Sequence, residues 1–160
     1  HPIFWIEEPI SARSSDKDYL NLIENSKVNL ALGENVYNEN LINIFLRNKF
    51  LKYFQPDITK YGGISLVHKY INSKYKNKIF LHFLGSGVGL ITSAHMMSAI
   101  NSNGLLETDF NENPLRDTIF NETVKIINGK IYLNNKPGIG FTLNKKTIKK
   151  YTITKFTHKI

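Results

Sequence analysis

Five ionisable side chains recur along the sequence at a nearly constant spacing. They are Glu7, Glu34, Asp57, His82 and Glu107, which are 23 to 27 residues apart, and each follows a short apolar run. The carboxyl ends of neighbouring parallel strands meet at one edge of a sheet, so side chains placed there converge. One such acid alone is most simply a solvated loop residue, but five in register predict a functional site.

The carboxylates in this series predict a metal site. Like charges a few ångströms apart repel each other strongly unless a cation lies between them. Glu7 and Glu34, on neighbouring predicted strands, are therefore the expected pair of hard oxygen ligands. The sequence contains no cysteine and no histidine-rich cluster, so Mg²⁺ is the expected ion.

The remaining members of the series predict acid–base chemistry. An aspartate hydrogen-bonded to a histidine fixes its tautomer and makes it a positioned general base, a role that Asp57 and His82 fit. Glu107 is expected across the site as a protonated donor to an oxyanion, because apolar or acid-crowded surroundings raise a carboxyl pKa. Lys60, three residues after Asp57, would add positive potential, although lysines in such turns are commonly only solvated.

A glycine-rich segment, GSGVG from Gly85 to Gly89, follows His82. A glycine-rich turn before a helix can hold an anion at the helix N-terminus. The segment has no following lysine and does not match G-x-G-x-x-G, which favours a tight turn that lines the substrate pocket at Gly85.

Short apolar runs alternate with amphipathic segments, which predicts βα units and a parallel sheet. The strand candidates are Ile3–Ile6, Val28–Leu32, Leu51–Gln55, Lys78–Leu81 and Leu105–Leu106, with Trp5 expected in the core. The helix candidates are Asp16–Asn25, with Ser15 as N-cap, Glu39–Asn48, Ile64–Tyr75 and Val88–Ile100. About 25–30 residues per unit is typical of a (β/α)8, or TIM-type, barrel.

The pattern changes after Glu107. Residues 124–133 predict a hairpin closed by Asn128-Gly129, a pair that suits a type I′ turn. We therefore expect two parts in this α/β chain, a partial barrel over residues 1–108 and a β-rich extension over 109–160 that packs outside the barrel core.

Composition limits the class of protein. The 160 residues are 41% hydrophobic, and no apolar stretch approaches the roughly 18 residues that span a bilayer. With no cysteine and no basic-then-apolar leader, a cytoplasmic location and no membrane partner are expected. The net charge of +8 would suit a nucleic-acid partner. The lysines are dispersed, however, apart from a modest cluster near the C-terminus. Codon bias toward lysine is therefore the favoured explanation of the charge, and no nucleic-acid partner is expected.

Six motifs together resemble the barrel domain of the enolase superfamily, in its mandelate racemase and muconate lactonizing enzyme branch. They are WIEEP, GEN, QPDITKYGGIS, HFLGSGVGLITSAHMMSAI, LLETDFNENPLRD and PGIGFTLN, in the same order and spacing, from Phe4 to about Leu143. The resemblance implies that Glu7 and Glu34 are the second and third metal ligands. It also implies that Asp57 and His82 move the proton α to a carboxylate and that Glu107 faces the substrate carboxylate.

The resemblance also implies a fragment, because the family's cap domain and first barrel strands, with one metal ligand and a second base, have no counterpart here. We expect strands four to eight of the barrel and the C-terminal part of a Mg²⁺-dependent sugar-acid dehydratase, with a small carboxylic acid as substrate and a homo-oligomeric full-length protein. A racemase or epimerase, a hydroxyproline-type dehydratase and a non-catalytic remnant remain open alternatives.

Overall fold

A computed structural model describes residues 1–71, 74–100 and 104–157. The five strands are β1 (Ile6–Glu7), β2 (Leu30–Leu32), β3 (Tyr53–Phe54), β4 (Lys125–Ile127) and β5 (Lys130–Tyr132). The six α-helices are α1 (Asp16–Asn25), α2 (Glu39–Arg47), α3 (Ile64–Ile71), α4 (Gly87–Ile100), α5 (Pro114–Asp117) and α6 (Lys145–Tyr151). A 3₁₀ turn, Lys76–Lys78, precedes the last parallel segment.

The first three strands form a parallel sheet in the order β1-β2-β3. Glu7 lies opposite Ala31, and Ala31 lies opposite Tyr53. Two isolated parallel bridges, Phe54 with Ile79 and Asp57 with His82, extend the same register to a fourth segment. The predicted alternation of parallel strands and helices is confirmed over this part of the chain.

The strands are shorter than the sequence predicts. Ile3 and Phe4, expected in a buried strand, are 61% and 63% exposed. Leu105 and Leu106 form no strand, and Leu105 is 58% exposed. An apolar run becomes a strand only where a neighbouring backbone accepts its hydrogen bonds, and within the described residues β1 pairs on one side alone.

The helices follow their predictions closely. α1 has the predicted bounds, and Ser15 caps it in a reciprocal capping box with Asp18. Asn38 caps α2. The third helix, predicted over Ile64–Tyr75, is helical as far as Ile71; residues 72–73 lie outside the description, and Lys74 and Tyr75 form a turn, so the predicted end is too late. Helices α1 and α2 each have one apolar face, and each buries that face on the sheet.

The main core lies between the sheet and helices α1, α2 and α4. Its fully buried side chains include Phe45 of α2, Phe54 of β3 and Leu81. Burial of an aliphatic or aromatic side chain of this size contributes about 1.5–3 kcal/mol. This core fixes the sheet from one side and leaves its opposite face and its C-terminal edge to carry the site.

The segment after residue 109 packs against α4. Ile91 of α4 forms a second apolar cluster with Ile119 and Phe120, and His95 Nε2 lies 3.1 Å from the carbonyl oxygen of Ile139. α4 is buried on several sides because α3 contacts it as well. The predicted hairpin is confirmed: β4 and β5 pair antiparallel, and the turn residues Asn128 and Gly129 have φ of 50° and 70°.

No helix among the described residues is long and apolar enough to cross a membrane.

Glu122 ties the two ends of this C-terminal segment together. The backbone N–H of Thr142 donates to its Oε2 at 2.9 Å, and Lys136 Nζ lies 3.2 Å from its Oε1. The Thr142 N–H, aided by Lys136, lowers the pKa of Glu122 from 4.5 to about 2. Because the folded pKa is depressed, this carboxylate stabilises the fold above pH 4.5, and the contribution is lost as pH falls towards about 2.

We expect Glu122→Gln to lower the urea midpoint of unfolding at neutral pH, because the amide is a weaker acceptor than the carboxylate. The difference between wild type and variant should narrow as the pH falls from 4.5 towards about 2. Glu24→Gln, at an exposed position on α1, serves as the matched control. A difference of constant size across this range would show that the charge on Glu122 is not its source.

Candidate active site

Four residues of the series lie at or just beyond the carboxyl ends of the parallel segments, and Glu107 follows a segment that forms no strand. Glu7 ends β1, Glu34 lies two residues past β2, and Asp57 lies three residues past β3. Gly33 shapes the second of these connections. It has φ of 145°, and a Cβ there would lie 2.8 Å from the backbone nitrogen of Gln55, so only glycine lets the chain turn Glu34 into the site.

Asp57 and His82 form a buried pair. They lie side by side in the parallel bridge, and His82 Nδ1 is 3.0 Å from Asp57 Oδ2. Burial tends to lower the pKa of His82, but its hydrogen bond to Asp57 and the charges of Glu107 and Glu34 outweigh this, so the pKa lies above 6.5. The contact leaves Nε2 as the imidazole nitrogen that faces the other acids.

Thr59 holds the opposite oxygen of Asp57. Its backbone N–H and its hydroxyl both donate to Oδ1, each at 2.7 Å. Burial would raise the pKa of Asp57, but the hydrogen bonds from His82 and Thr59 keep the pKa below 3.8. The carboxylate therefore stays ionised and has its two oxygens fixed.

Glu34 lies at the centre of the charge network. Its Oε2 pairs with His82 Nε2, and its Oε1 accepts from Lys60 Nζ at 3.3 Å and from Asn35 Nδ2 at 2.9 Å. Lys60 also lies 3.9 Å from Asp57 Oδ2. The lysine that the sequence marked as a source of positive potential is thus within ion-pair distance of two of these acids.

Glu107 lies near the same imidazole nitrogen. Its Oε2 lies 3.9 Å from His82 Nε2 and accepts from the backbone N–H of Phe83 at 3.4 Å. Burial raises the pKa of Glu107. The positive charge of His82 lowers this pKa, but the negative charges of Glu7 and Glu34 raise it, and the pKa lies above its ordinary value. A carboxyl group with a raised pKa is suited to hydrogen-bond donation.

The carboxylates that the sequence assigned to a metal are Glu7 and Glu34. Within the described residues, no three His, Cys, Asp or Glu side chains form a group that could hold an ion. Mg²⁺ usually binds one or two carboxylates and fills its other positions with water and substrate oxygens. Two hard oxygen donors therefore fit Mg²⁺ in type, as part of a ligand set.

Gly85 lies in the connection between His82 and α4. Its carbonyl oxygen accepts from the side chain of Asn113 at 2.9 Å, so residues of the C-terminal segment also reach this edge. Its role toward a substrate remains a prediction.

Two residues at the site, the half-buried Glu8 and the buried Gln55, had no role predicted from the sequence. Glu8 Oε1 accepts from the backbone N–H of Gly33 at 2.8 Å, while its Oε2 is buried with no hydrogen-bond partner among the described residues. Burial raises the pKa of Glu8. Gln55 lies two residues before Asp57, and side chains two residues apart on a strand share one face. This spacing could have predicted from the sequence that Gln55 faces the site. Nothing in the sequence pattern signals the φ of 39° that turns Glu8 inward.

The chain is similar to several enzymes over nearly its whole length. It is 31% identical to the arabinonate dehydratase of Saccharolobus solfataricus, over 93% of this chain and 40% of that protein. The structure of the 3,6-anhydro-D-galactonate cycloisomerase from Zobellia galactanivorans is 26% identical, with a TM-score of 0.77 and coverage of 93% and 42%. A mandelate racemase/muconate lactonizing enzyme from Bordetella bronchiseptica RB50 is 29% identical, with a TM-score of 0.76 and coverage of 92% and 42%.

The chain thus spans about two fifths of the length of these relatives. Their likeness includes the α/β, TIM-barrel-like architecture in which strand ends carry the site. The family model described as enolase C-terminal domain-like matches residues 1–147. With the parallel register and the converging strand ends, this match shows that the chain belongs to the enolase C-terminal domain-like family, in its mandelate racemase-like part.

Proposed function

We propose that this chain is the C-terminal part of a Mg²⁺-dependent sugar-acid dehydratase. The observation that carries the proposal is the buried pair of His82 and Asp57, in which the second imidazole nitrogen, Nε2, pairs with Glu34 and faces Glu107. The 31% identity to an arabinonate dehydratase supports the same class of reaction.

Glu7 and Glu34 would hold the ion as oxygen ligands. Bound Mg²⁺ supplies Lewis-acid stabilisation of negative charge on a substrate carboxylate. Glu107, with its raised pKa, would donate a hydrogen bond to a carboxylate oxygen of the substrate as charge develops there. Lys60 would add positive potential beside Glu34, and Gly85 would line the substrate pocket.

In a dehydration, His82 would act as the general acid. A second base elsewhere in the complete protein would first take the α-proton, charge would develop on the substrate carboxylate, and the β C–O bond would then break. His82 would give a proton to the departing hydroxyl, so that water leaves and the enol product tautomerises to a 2-keto acid. The raised pKa of His82 favours the imidazolium form that this step needs.

A racemase or epimerase is the second candidate, because the chain is also similar to a mandelate racemase/muconate lactonizing enzyme at 29% identity. In that reaction His82 would act as the base on one face of the α-carbon, and a second base elsewhere in the complete protein would deliver a proton to the opposite face. The small carboxylic-acid substrate would be the same, and the two reactions differ only in whether a β-hydroxyl departs.

The product of the reaction separates these candidates. We expect the complete protein that contains this chain, supplied with Mg²⁺, to convert at least one acid sugar to a 2-keto acid in a carbonyl-trapping assay. Exchange of the α-proton in D₂O without keto acid would favour the racemase. Absence of both with acid sugars and hydroxyprolines would contradict the enzymatic proposal.

His82→Asn should lower kcat of the complete protein about 10²- to 10⁴-fold, because proton transfer by a positioned side chain contributes that much. His68→Asn is the matched control, since His68 is an exposed histidine on α3. Equal activity in the two variants would remove His82 from the chemistry.

Asp57→Asn should lower the pKa of His82, because the hydrogen bond and the charge of Asp57 both raise it. A pH titration of the His82 ring resonances by NMR, in metal-free protein, measures this shift. Asp16→Asn on α1 changes the same functional group away from the pair and should leave the His82 titration where it is. An unshifted His82 titration in Asp57→Asn would show that the pair does not control the imidazole.

A further inference from the structure

Both hydrogen bonds that the described residues donate to Glu7 reach the same carboxylate oxygen. The indole Nε1–H of Trp5 donates to Oε2 at 3.2 Å, and the amide Nε2–H of Gln55 donates to Oε2 at 3.2 Å. Glu7 itself is exposed at the end of β1. An exposed carboxylate would otherwise rotate freely, so two donors on one oxygen fix which oxygen remains available.

The register explains why Gln55, the residue after β3, reaches Glu7 on β1. Glu7, Ala31 and Tyr53 lie opposite one another across the three strands, so their side chains share one face of the sheet. Gln55, two residues after Tyr53, has the same orientation. Ala31 carries only a methyl group between them, and this small side chain lets the amide of Gln55 extend over β2 to Glu7.

The donors are held in place by their own surroundings. Gln55 is 3% exposed, and its Oε1 is buried without a hydrogen-bond partner among the described residues. The bond from its Nε2–H to Glu7 therefore fixes the orientation of the side-chain amide. The Trp5 ring lies 4.9 Å from that of Tyr53 and 6.1 Å from that of Phe80. Aromatic contacts of this kind add about 0.5–1.5 kcal/mol each to the burial of the rings.

Trp5 was expected to be a core residue, and the structure leaves it half-buried, with its polar edge toward Glu7. The indole N–H of Trp5 therefore hydrogen-bonds Glu7, while the ring packs against its aromatic neighbours. Residues that hydrogen-bond a metal ligand orient it, and their loss typically lowers metal affinity 10- to 100-fold.

We propose that Trp5 and Gln55 are positioning residues that hold Glu7 by Oε2 and so present Oε1 to a divalent cation. The inference rests on the proposed function only in that Glu7 is taken as a ligand. Trp5 is the single tryptophan of this chain, and the indole N–H signal that disappears in Trp5→Phe identifies it in the complete protein, so this signal also reports when Glu7 gains a cation.

The test uses Mg²⁺ as the probe on the complete protein, with the dissociation constant from calorimetry. Trp5→Phe keeps an aromatic ring and removes the donor, and Gln55→Met keeps the side-chain length and removes the amide. Each variant should bind Mg²⁺ about 10- to 100-fold more weakly. Tyr53→Phe, which keeps the ring against Trp5, should bind Mg²⁺ as wild type does.

The indole N–H resonance of ¹⁵N-labelled protein gives a second readout that does not depend on catalysis. In the wild type the Trp5 signal should shift on Mg²⁺ addition and saturate with the calorimetric dissociation constant. If Gln55→Met fails to fold by circular dichroism, Trp5→Phe and this wild-type titration still decide the matter.

The outcomes separate this inference from the proposed function. Wild-type Mg²⁺ affinity in both variants, or an indole signal that does not respond while Mg²⁺ binds, would overturn the positioning role and leave the metal site intact. No Mg²⁺ binding by the wild type at all would overturn the metal-dependent function itself, and the inference with it.

Discussion

The parallel register across β1, β2, β3 and the segment that ends at His82 is the constraint on which the site depends. Asp57 and His82 lie opposite each other in one bridge, so backbone pairing places their side chains at hydrogen-bond distance. A slip of one residue would turn one of them to the other face of the sheet. The core beneath, built on Phe45, Phe54 and Leu81, resists such a slip because its apolar side chains occupy the alternate positions.

This convergence has an electrostatic cost that the local structure offsets. Glu7, Glu34, Asp57 and Glu107 bring four carboxyl groups to one edge of the sheet. Lys60 and His82 supply positive charge on one side, while the Trp5 and Gln55 donors stabilise Glu7 on the other. Burial raises the pKa of Glu107. Acid groups with distinct environments can take distinct roles, which is what proton transfer beside a carboxylate requires.

The two faces of the parallel sheet have different roles. One face of each strand packs in the core. The other face carries an aromatic layer of Trp5, Tyr53 and Phe80, and the ionisable groups follow at the strand ends. The aromatic layer is partly open to solvent along β1, where backbone pairing is seen on one side within the described residues. The ionisable groups therefore lie on a few strand ends above this aromatic layer.

The sequence by itself determined the alternation of elements, the bounds of α1, the hairpin at Asn128-Gly129 and the spacing of the ionisable series, because these follow from local periodicity, capping and turn chemistry. It overextended the strands at Ile3 and Leu105, since a strand needs a hydrogen-bonding neighbour that no local pattern supplies. Only the tertiary structure decided that Trp5 and Gln55 meet on one oxygen of Glu7 and that Glu8 turns inward. Those contacts join residues up to 48 positions apart, and their geometry is set by register and packing across the sheet.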